Sequence, residues 1–269
     1  MQEVVEEEQI SVSRACRIVH LTRSMFYYKS LKDDGPIIAK LLELAEKYPT
    51  RGFDNYYGKI HNEGLPWNRK RVLRVYRLLN LKMRKKKKRR LPSRDKKELE
   101  VPTTLNETWS IDFMSDALTT GRRFRVLNVI DDHNREALIT EAHYSITADR
   151  LISSLKQLIA ERGKPNTIRT DNGPEFISKA FVGFCNEKQI KLNYIQPGKP
   201  AQNAYIERFN RTFREDVLDA YLFETIEQVN MEAYYWQVDY NANHPHKSLK
   251  GLSPWLFIGQ ELVDEINNN

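Results

Sequence analysis

The fold is decided by residues 109–130, which read WSIDFMSDALTTGRRFRVLNVI. Apolar and polar residues alternate over Trp109–Asp116, and a second strand-like run follows over Phe124–Ile130. Gly121 lies between the two runs and predicts a turn there. One acid, Asp112, stands inside the first apolar strand, where a carboxylate is costly unless it is paired or bound to metal.

Strand-like and helix-like patterns continue to alternate after residue 130. Further strands are predicted over 137–143, 167–170 and 191–195, and helices over 148–161, 177–188, 201–220 and 225–240. The order βββαβαβαα predicts an α/β fold with a mixed five-stranded sheet covered by helices. The acids Asp131 and Asp132, at the end of a strand, are expected to serve a turn.

The segment before residue 82 is predicted to be all-helical. Two short helices are expected over 11–29, with Thr22 capping the second, and another helix is expected to begin at Pro36. Asn68 is predicted to cap a basic amphipathic helix, RKRVLRVYRLLN. Between these two, Tyr56 to Glu63 predicts another short helix, stopped by Gly64. The three helices from Pro36 onward end in a basic one, which is typical of a helix-turn-helix-like unit.

The predicted domain boundaries follow these changes in sequence pattern. We expect an N-terminal segment of short helices over 1–35, which is helix-turn-helix-like or serves assembly, and a helix-turn-helix-like DNA-binding domain over 36–92. A basic linker over 93–105, an α/β core over 106–260 and a tail over 261–269 are expected to follow.

Positive charge is concentrated in one stretch of the chain. Residues 69–97 hold 16 of the 43 Lys and Arg residues and one acid, Asp95, while the rest of the chain has 27 bases against 35 acids. Such a block usually binds a polyanion. The predicted DNA contacts here are Arg69, Lys70, Arg71, Arg74, Arg77, Lys85, Lys86, Lys87 and Lys88. Whether the helix reads base edges or binds phosphates alone stays open.

Composition excludes several classes of protein. No apolar run approaches the ~18 residues of a membrane span, and the acidic start MQEVVEEEQ is unlike a signal peptide. Cys16 and Cys185 lie too far apart in sequence for a disulfide framework or a CxxC metal site. The expected location is therefore the cytosol, with association to the nucleoid.

Three acids occupy positions that suit a metal site. Asp112 lies within a strand, Asp171 follows the strand over 167–170, and Glu207 lies inside a predicted helix, with 35 residues between the last two acids. The helix would present Asn203, Glu207, Arg211 and Arg214 on one polar face, opposite Ile206, Phe209 and Phe213. The predicted DNA contacts in this region are Lys199, Asn203, Arg211 and Arg214.

Carboxylates in this pattern suit phosphoryl transfer. Two Mg²⁺ ions about 3.5–4 Å apart, held by hard oxygen ligands, can neutralise the attacking and leaving oxygens of a phosphodiester. Asp112 could bridge both ions, with Asp171 and Glu207 each holding one. Taken singly, each acid would more often be a cap, a surface acid or an ion-pair partner. Asp116, Asp131, Asp132 and Glu175 are nearby acids without an assigned catalytic role.

Three sequence contexts together resemble a known family. WSID at 109–112, TDNGPEF at 170–176 and QNAYIERFN at 202–210 resemble the integrase core of the retroviral integrase superfamily. The likeness is greatest to the second-frame transposase of bacterial insertion sequences of the insertion-sequence-three family, and it covers nearly the whole chain. It implies an RNase H-like core, a catalytic triad of Asp112, Asp171 and Glu207, and DNA cleavage and strand transfer that depend on Mg²⁺, with Mn²⁺ as a substitute.

The resemblance also implies partners and shows departures. Arg214 occupies the basic position that such enzymes have seven residues after the Glu, whereas Met114 replaces a common Thr. The chain cannot build the zinc module of retroviral integrases. The implied partners are double-stranded DNA at the element ends and target, further copies of the chain, and an upstream-frame protein usually fused to it.

Three hypotheses remain open at this point. The leading one is a transposase acting on its own element, the second is a nuclease of the same fold that only hydrolyses, and the third is a non-enzymatic DNA-binding regulator active only when fused to the upstream-frame protein. The Pro197–Pro200 loop is either an ordinary turn or a segment that orders on substrate. The pair His244 and His246 is expected to end a helix and pack, and Tyr234, Trp236 and Tyr240 are expected in the core.

Overall fold

The computed structural model describes residues 11–27, 33–82, 102–195 and 203–268, and it divides the chain into two compact units, residues 1–40 and 41–269. The first unit contains helices α1 (Val12–Ile18) and α2 (Arg23–Phe26) and the start of α3 (Gly35–Lys47). The Thr22 hydroxyl accepts a hydrogen bond from the Met25 N–H, so the predicted N-cap is confirmed.

The second unit begins with the rest of α3, followed by α4 (Phe53–Asn62) and α5 (Arg69–Leu78). The Asn68 side chain accepts from the Lys70 N–H at 2.9 Å and caps α5 as predicted. Helix α5 buries Val72, Val75 and Tyr76, and the Tyr76 ring lies against the aromatic rings of α4. The opposite side of α5 is left basic.

A five-stranded mixed sheet forms the centre of the second unit, as predicted. The strands are β1 (Thr108–Ala117), β2 (Arg123–Asp131), β3 (Ala137–His143), β4 (Thr167–Thr170) and β5 (Lys191–Tyr194), in the spatial order β3-β2-β1-β4-β5. Strand β2 is antiparallel to both β1 and β3, whereas β4 runs parallel to β1 and β5 parallel to β4. Strand β1, which carries Asp112, is therefore central.

Helices cover both faces of this sheet. They are α6 (Ala148–Arg162), α7 (Lys179–Glu187), α8 (Ala204–Phe213), a π-helical turn (Arg214–Leu218), α9 (Ile226–Asn243), a 3₁₀ turn (Lys247–Leu249) and α10 (Pro254–Asn268). Apolar side chains of β1 and β2 pack against α6 and α7 on one face, and the alternate side chains pack against the π-turn and α9 on the other. Within the described part of the chain, no helix is long and apolar enough to cross a bilayer.

Helix α10 is a departure from the expected layout, which treated residues 261–269 as a tail. The helix opens on Pro254, a favourable first helical residue, and continues through residue 268. Long-range contacts hold it in place: Trp255 Nε1 donates to Glu136 Oε1 at 2.8 Å, and Glu261 contacts His133 Nε2 at 2.9 Å. Such contacts to the β2–β3 turn are not visible in the local sequence.

The β2–β3 turn confirms the expectation for Asp131 and Asp132, but it is fully buried. The Asp131 carboxylate accepts backbone N–H groups of Asn106 and His133, each at 2.8 Å. Asp132 forms an ion pair with Arg169 of β4. Burial of these charges is tolerated because each has a partner.

Helix α9 confirms two of three aromatic predictions. The Trp236 and Tyr240 rings stack at 4.9 Å and face Phe209 of α8, whereas Tyr234 is 63% exposed, so its predicted core position is wrong. Apolar residues occur all around α9, and the sequence therefore does not show which side packs on the sheet. The helix ends at Asn243, and the neutral His244 and His246 rings pack against Tyr240, as predicted.

Helix α4 packs closely on the segment after α9, which makes Gly58 a sensitive position. A Cβ at Gly58 would lie 2.6 Å from Pro245 Cβ. We expect Gly58→Ala to lower the free energy of unfolding by about 1–3 kcal/mol through overpacking. Gly183→Ala in α7, where a Cβ meets nothing within 4 Å, is the control and should be neutral or stabilising by up to about 1 kcal/mol. Urea unfolding followed by circular dichroism measures both, and equal stabilities would contradict the packing.

Candidate active site

Asp112 is held in β1 by two hydrogen bonds. The Phe113 N–H donates to Oδ1 at 2.8 Å, and the Asn210 amide donates to Oδ2 at 2.7 Å. The pKa of Asp112 is raised to about 6, mainly by burial and in smaller part by the negative charges of Asp171 and Glu207, against the lowering effect of these two donors. The three acids chosen from the sequence therefore interact electrostatically in the fold.

Asp171 is brought beside Asp112 by the parallel pairing of β4 with β1. Ser110 pairs with Arg169, and Asp171 and Asp112 each follow two residues later. The Asp171 carboxylate is exposed, and its Oδ1 accepts the Gly173 N–H at 2.8 Å, which forms a tight turn. A Cβ at Gly173 would lie 3.0 Å from that oxygen, so glycine suits this turn.

The loop after Asp171 is fastened to β1 and β2. Glu175 forms an ion pair with Arg125, whose guanidinium lies over the Phe113 ring at 4.4 Å. Phe176 stacks on the same ring at 4.8 Å. Burial acts to raise the pKa of Glu175, but the Arg125 hydrogen bond lowers it overall. Glu175 thus supports the loop that carries Asp171.

Helix α8 supplies the third carboxylate. Ile206, Phe209 and Phe213 are buried, whereas Glu207 and Arg211 are exposed, which agrees with the predicted polar face. Asn203, however, does not belong to this face, because it precedes α8 and is 5% exposed. The expectation that Asn203 lies on an exposed polar face is therefore wrong, and its predicted DNA contact stays untested.

Arg214 lies in the π-turn and contacts the strand of Asp112. Its guanidinium donates to Asp116 Oδ2 and to the Ser115 carbonyl, both at 2.9 Å. Asp116, a nearby acid without an assigned catalytic role, therefore anchors Arg214. A π-helical turn contains more residues than an α-helical turn. It therefore shifts Arg214 relative to the polar face that an uninterrupted α-helix over 201–220 would have had.

An amide network behind Asp112 was missed by the sequence analysis. Asn128 is the β2 partner of Asp112 in the sheet, and its Nδ2 donates to Asn210 Oδ1 at 2.7 Å. Asn210 in turn donates to Asp112, so both amides are oriented. Two features of the sequence could have indicated this network. Asn128 is a polar residue in an apolar strand, and Asn210 lies three residues after Glu207 in the same helix.

Asn210 offers a direct test of this network. We expect Asn210→Ala to lower the rate of DNA cleavage by about 10- to 100-fold, as with other residues that orient a metal ligand, because Asp112 loses its side-chain donor. DNA affinity should not change. Single-turnover assays and fluorescence anisotropy measure the two quantities, with exposed Asn186→Ala as the control. A wild-type cleavage rate in Asn210→Ala would contradict the assigned role.

The three carboxylates fit a divalent cation in chemistry. They are hard oxygen donors, and a nearby cation would offset the negative charges of Asp171 and Glu207 that raise the pKa of Asp112. Among the described residues, no group of three His, Cys, Asp or Glu side chains is close enough to hold one ion. Mg²⁺ does not require such a cage, because it commonly binds one or two carboxylates together with waters and substrate phosphates.

Apart from Arg211 and Arg214, which lie on α8 and the π-turn, the basic residues predicted to bind DNA lie on α5 or outside the described residues. Lys70, Arg74 and Arg77 line a groove of about 500 Å³ together with Leu73 and Leu78. Arg69 instead pairs with Asp54 at 2.7 Å, and Arg71 is half-buried. The remaining predictions, Lys85, Lys86, Lys87, Lys88 and Lys199, lie outside the residues that the structure describes.

The fold and the site define a class of protein: an α/β domain with a mixed five-stranded sheet that gathers carboxylates from its central strand, an adjacent strand end and a covering helix. The integrase core domain family matches residues 102–200 and 188–254. The chain belongs to this family, as a transposase of the insertion-sequence type with an RNase H-like core, a polynucleotidyl transferase of the DDE (Asp-Asp-Glu) class.

Relatives from insertion elements match over most of their length. The chain is 37% identical over 262 residues to the uncharacterized 31.7 kDa protein of insertion element IS407 from Burkholderia multivorans, covering 97% of this chain and 95% of that protein. It is 33% identical to the uncharacterized 39.2 kDa protein of insertion element IS476 from Xanthomonas euvesicatoria, covering 100% and 78% respectively. Low calcium response locus protein T of Yersinia pestis is 45% identical over 52% of this chain and 96% of its own length.

Retroviral proteins are among the solved structures to which the chain is similar. The catalytic core domain of HTLV-2 integrase in complex with magnesium is 22% identical and matches 56% of this chain and 94% of its own, with a TM-score of 0.44. The simian T-cell lymphotropic virus intasome in complex with the PP2A regulatory subunit B56 gamma is 19% identical and matches 70% and 69%, with a TM-score of 0.49.

Proposed function

We propose that this chain is a transposase that cleaves DNA at the ends of its own insertion sequence and joins the cleaved strands, with Asp112, Asp171 and Glu207 as the catalytic residues. The observation that carries the proposal is that Asp171, at the end of β4, and Glu207, on α8, both lie near enough to Asp112 of β1 for their charges to raise its pKa. The family to which the chain belongs supports the reaction class, and the positions of the three acids support their proposed roles.

Hydrogen bonds from the chain itself orient two of the three carboxylates that would act on a phosphodiester. Asn210 and the Phe113 N–H orient the Asp112 carboxylate, and the turn at Gly173 orients Asp171. Bound Mg²⁺, with Mn²⁺ as a substitute, would neutralise charge on the reacting oxygens and would be held by Asp112, Asp171 and Glu207. Arg211, exposed on the same helix as Glu207, would attract the DNA phosphates.

Double-stranded DNA is the proposed partner of the basic side of α5. Replacing Lys70, Arg74 and Arg77 together by Ala should weaken DNA binding and lower the slope of log affinity against log salt by about three, since each side chain would neutralise one phosphate. A matched control replaces the exposed Lys156, Lys179 and Lys191, which lie elsewhere on the surface. Anisotropy titrations at several salt concentrations measure the slopes. Equal slopes in the two triple variants would exclude α5 as the contact surface.

Joining requires that two DNA ends be held together, so we infer that the chain acts as a homo-oligomer on DNA. An upstream-frame protein of the same element is proposed as a further partner that assists recognition of the ends. Size-exclusion chromatography with light scattering, with and without end DNA, tests the first inference. Joined products formed by a complex that contains one copy of the chain in total would contradict it.

The test of the function is a joining assay. The purified chain is incubated with labelled linear DNA bearing the terminal repeats and Mg²⁺ or Mn²⁺, and in parallel with DNA already cleaved to a 3′-hydroxyl. Joined products from either substrate support the transposase. Hydrolysis without joining from both substrates would indicate a nuclease of the same fold. Binding without either product, unless the upstream-frame protein is added or fused, would indicate an accessory DNA-binding role for the chain alone.

A further inference from the structure

The end of the Glu207 helix is held by a residue from outside the integrase core domain. Arg51 lies between α3 and α4, and its Nη2 donates to the carbonyl oxygen of Thr212 at 3.2 Å. The same nitrogen lies 2.6 Å from Asp216 Oδ2, and Nη1 lies 3.5 Å from Glu215 Oε2. Thr212 is in the last turn of α8, and the two acids are in the π-turn that follows.

Burial and geometry distinguish this contact from an ordinary surface ion pair. The side chains of Arg51 and Asp216 are 13% and 12% exposed, and Asp216 is also hydrogen-bonded by Thr50 and by Trp236 of α9. A guanidinium can serve a carbonyl and a carboxylate at once, which a lysine ammonium does less well. A π-turn shifts the helical hydrogen-bond register, so an external donor to a carbonyl at its start stabilises it.

The contact acts on an element that is also hydrogen-bonded to the strand of Asp112. The same short helix carries Glu207, five residues before Thr212, and Asn210, two residues before it, whose amide donates to Asp112. Arg214, within the π-turn, is bonded to the Asp112 strand through Asp116 and Ser115. The π-turn is thus attached to β1 on one side and to the segment carrying Arg51 on the other.

We propose that Arg51 is a positioning residue for Glu207: through Thr212 and the π-turn it holds α8 in register with β1, so that the catalytic geometry depends on the helical segment before the integrase core. The effect on rate rests on the proposed function. The effect on the stability of α8 does not depend on the proposed function, because it can be measured without any reaction.

The first readout is hydrogen exchange of the full chain by mass spectrometry, without DNA or metal. In Arg51→Ala, peptides covering 204–218 should lose protection by about tenfold, while those covering α6, which Arg51 does not contact, should stay unchanged. Lys47→Ala is the matched control, since Lys47 pairs with Asp239 of α9 from the same segment and is 58% exposed. Unchanged exchange over 204–218 in Arg51→Ala would overturn the proposal.

The second readout is cleavage. At saturating DNA, the single-turnover rate of Arg51→Ala should fall by about 10- to 100-fold, as expected when a catalytic group is displaced by about 1 Å. DNA affinity should remain within about twofold, because the basic side of α5 is not altered. Arg51→Lys should recover part of the rate, since it keeps the ion pair with Asp216 and loses the carbonyl contact. A merely structural contact would lower both melting temperature and DNA affinity without this rescue.

The outcomes separate the two proposals. Faster exchange over 204–218 with a wild-type cleavage rate would refute the positioning role. If wild type neither cleaves nor joins DNA, the proposed function fails, and the exchange data alone decide whether Arg51 holds the helix. Should Arg51→Ala not fold, Arg51→Lys and Asp216→Asn provide the same comparison with smaller changes.

Discussion

Asp112→Asn is expected to abolish both cleavage and joining, lowering each rate by at least about 1000-fold, while DNA binding is retained. The variant keeps the shape of the side chain but removes a negative charge that a cation between the three acids would require. Gel assays of labelled DNA with Mg²⁺ or Mn²⁺ measure the rates, and anisotropy measures the affinity. Normal cleavage by Asp112→Asn would disprove the assigned triad.

Asp112→Asn should be more stable than wild type. That result would exclude misfolding as the cause of its inactivity. A pKa of about 6 in the folded chain means that ionised Asp112 costs about 2–3 kcal/mol at pH 7. The amide offers one acceptor to two donors, Phe113 N–H and Asn210, which costs about 1 kcal/mol, so a net gain of about 1–2 kcal/mol is expected.

The stability advantage of Asp112→Asn over wild type should decrease as the pH falls. Because the folded pKa of Asp112 is raised above its unfolded value, the penalty exists only when the carboxylate is ionised in the folded state. As pH falls from 7 to about 4, Asp112 becomes protonated and wild type should gain stability relative to Asp112→Asn. Urea unfolding of both proteins across this range measures the difference, and a constant difference would contradict the raised pKa.

Glu207→Gln is expected to have a comparable effect on the reaction, a loss of at least about 1000-fold, but none on stability. Glu207 is exposed on α8, so replacing its carboxylate leaves no buried group unpaired. Glu227→Gln, an exposed acid in the first turn of α9, is the matched control and should be fully active. Thermal unfolding and the joining assay are the measurements. Retained joining by Glu207→Gln would remove this residue from the proposed triad.

Local patterns were sufficient for most of the secondary structure. The strands over 137–143 and 167–170 were predicted at their observed bounds, and the caps at Thr22 and Asn68 were correct, because strand alternation and capping depend on residues within a few positions. The three acids of the proposed triad were chosen in the same way, from their short contexts, and their catalytic role stays a prediction. Helix α10 and the π-turn were not found, since both are stabilised by side chains distant in sequence.

The sequence by itself determined the order of strands and helices, the basic side of α5 and the choice of Asp112, Asp171 and Glu207. Only the tertiary structure decided what surrounds them: Asn210 on Asp112, Arg214 on Asp116, and Arg51 on the end of the Glu207 helix. The partners in these pairs lie 98, 98 and 161 residues apart. The physical reason is that a polar side chain has several possible partners of suitable chemistry, and only the packing of the sheet and helices selects the one within hydrogen-bonding distance.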